Sequence, residues 1–197
     1  MVTETRICRS LLSMSWLPLL TWSAISLALQ GPDLWAGEPK AGGLVELGSL
    51  KSRVPADWVE VKSDDAQVHK QYRLEPVNDD EYHARVTVGL RAKGKRASAV
   101  QYVKHWQGMF LPPEGKTMQE AAKIKRLTVK GAAVTYLDVH GDYKGTPGDN
   151  TTPRQNFRLL GVYFDTPQGP YEIHLLGPAD TVEFYRKGFE DWVKAFK

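Results

Sequence analysis

Cysteine is almost absent from this 197-residue chain, which has only Cys8. A lone thiol excludes an intramolecular disulfide and any zinc site built from several thiolates. Charge of one sign is also lacking: 26 Lys and Arg face 23 Asp and Glu, for a net +3. Such a balance gives no electrostatic footprint for nucleic acid. Neither GxxxxGK[ST] nor GxGxxG occurs, so no phosphate-cradling glycine loop is present, and no GxSxG marks a hydrolase nucleophile. Serine is scarce after residue 40, with Ser49, Ser52, Ser63 and Ser98 only. What remains is 42% hydrophobic and 25% charged residues, a globular composition in a length that suits one domain.

Long apolar runs are lacking except for one. Leu11 to Leu29 carries no charged side chain, follows Arg6 and Arg9, and gives way to small and polar residues up to Gly43. Basic start, apolar run and small-residue exit are the order of a secretory signal peptide. The expectation is a leader over 1–37, cleaved near Ala36 or Gly37, then a short linker over 38–49 and one domain over 50–197. The alternative is an uncleaved N-terminal anchor, since about twenty apolar residues span a bilayer. Pro18 and five hydroxyl residues weaken the run as a permanent span. Cleavage would remove Cys8 and leave a mature chain without a thiol or a stable membrane span.

From Leu44 onward, short runs are separated by Gly, Pro, Asn and Asp. VEVK after Trp58, QVHKQYRLEP at 67–76 and EYHARVTVGL at 81–90 alternate as strands do. Ser98 with Gln101 is a capping-box pattern. Behind it Ala99, Tyr102, Val103, Trp106, Met109 and Phe110 recur at helical spacing up to Pro112-Pro113. Lys130-Gly131 and Pro167-Gln168-Gly169 each read as a hairpin turn between strand-like runs. The chain closes on a second helix, with Asp180 and Glu183 expected as its cap and Val182, Tyr185, Phe189, Trp192 and Phe196 on one stripe. The fold expected is α+β, an antiparallel sheet of about six to seven strands covered by two main helices, in the order βββ-α-ββ-ββ-α.

VPADWVEVK, a helix ending in HWQGMF, LTVKGAAVTYLDVHGDYKG, RLLGVYFDTPQGPYEIHLLGP and a closing FEDWVKAF carry a resemblance. From about Leu50 to Phe196 the chain resembles a family of exported bacterial proteins with a PsbP-like α/β/α fold. That fold is shared with the PsbP extrinsic subunit of photosystem II and a small Ran-binding nuclear transport factor. The resemblance implies a non-enzymatic binding or assembly module, with no catalytic residue and no cofactor. The expected partner is a protein or another envelope component, and the expected location is periplasmic or extracellular.

Two constellations bear on chemistry. Asp138 and His140, two apart on a strand, point to one face together with Tyr136. His174 joins them if its strand lies alongside. A carboxylate and two imidazoles suit a divalent metal or an acid–base pair, the alternative reading as a metal-binding protein or hydrolytic enzyme. The second constellation is the polar stretch 141–156, where Tyr143, Lys144, Asp149 and Arg154 are the expected partner-binding residues. Arg91, Lys93, Lys95 and Arg96 make a basic turn before the first helix. His69, His83 and His105 read as surface residues.

Overall fold

The computed structural model describes residues 42–90, 98–145 and 152–197. The leader with its cleavage step and Cys8 lies outside the described residues. So do the basic turn of Arg91, Lys93, Lys95 and Arg96, and Asp149 in the polar loop.

Among the described residues, ten strands and three helices follow one another. First come β1 (Leu44–Leu47), β2 (Leu50–Arg53), β3 (Val59–Val61), β4 (Val68–Leu74) and β5 (Ala84–Leu90). Helix α1 (Ala99–Gly108), β6 (Phe110–Leu111), α2 (Met118–Ala121) and β7 (Ala122–Val129) lie in the middle. The last part is β8 (Ala132–Tyr143), β9 (Arg154–Thr166), β10 (Gly169–Pro178) and α3 (Ala179–Lys194). Eight strands form one sheet in the order β3-β4-β5-β10-β9-β8-β6, with β7 also on β8. Each pairing is antiparallel. The α+β expectation therefore holds, with a sheet slightly larger than expected.

The local signals explain most of these elements. Ser98 caps α1 through the box with Gln101: the Ser98 N–H donates to Gln101 Oε1 at 2.7 Å, and its hydroxyl accepts from the Gln101 N–H. Lys130 and Gly131 both adopt positive φ, 46° and 85°, as a two-residue turn between twisted strands requires.

The sheet has two unlike faces. Helix α3 lays Val182, Phe189, Trp192 and Val193 on one, joined by Phe196 just past its end, against Val86, Leu160, Val162 and Leu175. Trp58 fills the space beneath, its ring 5.1 Å edge-on from Trp192. Helix α1 covers only part of the other face, laying Tyr102, Val103 and Trp106 on Leu137, Val139 and Leu159.

Four expectations need correction. The stretch 38–49 is not simply linker, because β1 lies in it and pairs with β2, burying Val45 and Leu47 completely. That hairpin clasps the chain end, with the Lys51 N–H donating to the Lys197 carbonyl at 2.9 Å and the reverse bond at 3.1 Å. Helix α1 stops at Gly108 rather than at Pro112, since Phe110 and Leu111 leave it to pair with β8. Helix α2 was missed, although Thr117 and Glu120 form a complete capping box. Asp180 is not the cap of α3. Asp80 does that work from 101 residues away, its Oδ2 accepting the Thr181 N–H at 3.0 Å and the Thr181 hydroxyl at 2.5 Å.

Candidate binding groove

Strand register decides which expected site residues meet. Asp138 lies opposite Leu160, which lies opposite Leu175, so all three share the α3 face. His174 lies opposite Gly161, which lies opposite Leu137, so His174 is on the α1 face. Asp138 and His140 therefore point away from His174 through the sheet. The triad expected for a metal or an acid–base couple does not form. Among the described residues no three His, Cys, Asp or Glu side chains are grouped to hold a metal.

The α3 face uses its charges on itself. Arg158 meets Asp138 in a bidentate pair, Nε to Oδ1 and Nη2 to Oδ2, both at 2.8 Å. Its third nitrogen, Nη1, reaches Glu183. Arg186 bridges Glu183 at 3.3 Å and Glu190 at 3.2 Å, and the Tyr136 hydroxyl donates to Glu190 at 3.3 Å. The hydrogen bonds it donates to Asp138 hold the Arg158 guanidinium well above its usual range, while burial and Glu190 push the Tyr136 phenol up. His140 is satisfied by Asn156, Nε2 to Oδ1 at 2.8 Å. A cavity of about 430 Å³ opens beside this network. Three of its four carboxylates, Asp138, Glu120 and Glu183, already have partners within the chain, and Asp180 lines it as well. Asp138 is thus a structural anion, and nothing in the sequence pointed to Arg158 as its counter-ion.

The α1 face is different. Where α1 leaves β4, β5 and β10 uncovered, a groove of about 730 Å³ runs beside the helix. Its floor is polar: Gln71, Arg85, Thr87, Glu172 and His174 project there from three adjacent strands. Trp106 forms the helix-side wall, its ring 6.5 Å edge-on from the His174 ring. Gly161 makes this possible, because a Cβ there would lie 2.6 Å from the Trp106 ring. The His174 ring is partly covered, and its Nδ1 is enclosed without a hydrogen-bond partner. Burial, with His105 and Arg85 adding to it, pushes the imidazole down to about 4. His174 is neutral at physiological pH, with one nitrogen unsatisfied at the groove floor.

No protein-family model matches the chain, and no curated protein matches it. Solved structures similar to it include the following two. One is PA94, a protein of unknown function from Pseudomonas aeruginosa, at 14% identity and a TM-score of 0.44, covering 77% of this chain and 93% of that one. The other is the cyanobacterial PsbP (CyanoP) of Synechocystis sp. PCC 6803, at 14% identity and a TM-score of 0.45, covering 80% and 92%. At these values neither likeness says anything about ligand or reaction.

Of the expected partner-binding residues, Tyr143 and Arg154 sit at the end of the groove. Tyr143 closes β8 opposite Arg154, so the loop expected over 141–156 is shorter than its sequence suggested. Tyr143 lines both the groove and an adjoining cavity of about 300 Å³, which Arg154 also lines. Lys144 is tied down by its backbone, its N–H donating to the Met109 carbonyl at 2.9 Å. Sequence reading missed Arg85, Gln71 and Thr87, because period two alone does not say which strand face will be left uncovered.

Proposed function

We propose that the protein is an exported, non-enzymatic binding module of the cell envelope, and that it receives its partner in the groove beside α1. One observation carries the reading. The α3 face pairs its own charges, whereas the α1 face leaves a concave, polar strip of sheet with an unsatisfied imidazole at its floor. An antiparallel sheet can leave one face to water, so it is the concavity of this strip and the enclosed, unpartnered Nδ1 of His174 that support the reading. Export rests on the order of Arg6 and Arg9, the apolar run 11–29 and the small residues before Gly37. Among the described residues no helix is long and apolar enough to cross a membrane.

The test has two arms. Cell fractionation with N-terminal sequencing is expected to find the protein outside the cytoplasm, starting near Gly37. A cytoplasmic protein retaining Met1 would overturn export. A photo-crosslinking residue placed at Gln71 is expected to yield a discrete adduct in intact cells, while the same residue at Lys125 on β7 yields none. Equal labelling from both positions would remove the groove from the argument.

A further inference from the structure

Resting on that reading of the groove, we infer that its Tyr143 end is a binding site for a small oxyanion, held between Arg85 and Arg154. The two side chains line one cavity of about 300 Å³ together with His83, Tyr143 and Phe157, and no carboxylate is among the lining residues described. Arg73 lies directly across from Arg85 on the same sheet face, a like-charge juxtaposition that costs stability in an antiparallel pair. Glu75 relieves Arg73 at 3.1 Å and meets His83 at 3.4 Å. Among the described residues, neither Arg85 nor Arg154 has an ion pair of its own. Asp79, Asp80 and Glu81 line the next cavity along, which Arg154 also borders; Asp80 is taken by Thr181, and none of the three forms an ion pair with Arg154.

Arg154 is oriented in advance. Its guanidinium carbon lies 4.7 Å from the Tyr82 ring centroid and 5.9 Å from that of Phe157. Phe157 is itself stacked on Tyr143 at 5.8 Å and meets Tyr82 at 6.0 Å. Stacking uses the face of the guanidinium and leaves its in-plane N–H groups for a ligand, the geometry that matches carboxylate or phosphate oxygens. Arg85 comes from the start of β5, paired on both sides by β4 and β10, so one cationic wall is placed by the sheet and the other by the aromatic stack. The field also acts deeper in the groove, where Arg85 disfavours protonation of His174.

Purified protein titrated with inorganic phosphate and with acetate, followed by backbone amide shifts, tests the site. Saturable shifts confined to the region of Arg85, Tyr143 and Arg154 are expected with at least one of the two anions. Arg85→Gln and Arg154→Gln are each expected to weaken that binding at least about tenfold, the worth of one charge-assisted hydrogen bond. Arg126→Gln, which removes a cation from β7, is expected to leave it unchanged. Unsaturable shifts, or equal weakening by all three variants, would overturn the proposal in favour of general screening. Binding to phosphatidylglycerol vesicles alone, with none to the small anions, would also overturn it and assign the charge to a membrane surface. Failure here with a Gln71 adduct intact would leave the groove standing without its anion.

Discussion

On the α3 face, Val182, Phe189 and Phe196 are fully buried, and Asp138, Arg158, Glu183, Arg186 and Glu190 pair with one another in a single charged network. On the α1 face, a ten-residue helix covers the β8–β9 side and stops, leaving Gln71, Arg85 and His174 over an open groove. The same strands supply both surfaces, since alternate residues of β5 and β10 point to opposite sides. The difference teaches where to look for function. Charges satisfied at home report on stability, and polar groups left waiting report on a partner.

That contrast predicts unequal costs on the two sides. Phe189→Ala, in the closed face, is expected to lose about 3–5 kcal/mol of stability, because a fully buried aromatic leaves a cavity its neighbours cannot fill. Urea unfolding at equilibrium measures it. A loss below about 1 kcal/mol would mean the α3 face is looser than its packing indicates.

The next effect belongs to the open face and depends on pH. His174 has its folded-state pKa pushed from 6.5 down to about 4 by burial and by its cationic neighbours. A folded state that resists protonation loses stability as pH falls. The loss begins near 6.5, where the unfolded chain starts to take up the proton, and levels off near 4. It is expected to reach about 2–3 kcal/mol, measured as a drop in urea midpoint across that window. His174→Gln should flatten this part of the profile. A profile unchanged by the substitution would place His174 in contact with solvent and weaken the groove reading.

Much of the fold was legible, and the exceptions have physical causes. Period-two alternation placed Tyr72 and Leu74 of β4, and Ala84, Val86 and Val88 of β5, on the buried face where they lie. Ser98 with Gln101, and Lys130-Gly131, act within four residues of chain and were readable for that reason. The cap of α3 was not, because Asp80 reaches Thr181 across 101 residues. The candidate site failed at a single point. Tyr136, Asp138 and His140 do share a face, but β8 is buried on both sides and β10 carries Leu175 beside Leu176, so neither strand declares which face is which. Only the register through Leu160 and Gly161 separates Asp138 from His174.

Gly161 offers the next test, midway between the faces in size of effect. Gly161→Ala would drive a methyl group to 2.6 Å from the Trp106 ring, and α1 must then shift off the sheet. Overpacking of this kind is expected to cost about 1–3 kcal/mol. The disturbance should stay local, with amide exchange rising in α1 while α3 keeps its protection. Equal loosening of both helices would show that the two packed layers unfold as one unit.

The smallest expected effect separates the readings most cleanly. Arg85 is exposed, faces Arg73 across the β4–β5 pair and makes no ion pair among the described residues. Removing its charge should therefore leave stability within about 0.5 kcal/mol of the parent. The change is expected to be slightly favourable in sign, because a like-charge juxtaposition is relieved. Arg85→Gln measured by urea unfolding at low and at high salt checks this, since added salt should shrink any gain toward zero. A loss above about 1 kcal/mol would make Arg85 a structural residue like Arg158 and erase the contrast between the two faces at the position where it matters most. A neutral result leaves a conspicuous cation, fixed in the middle of a sheet, with no role in holding that sheet together.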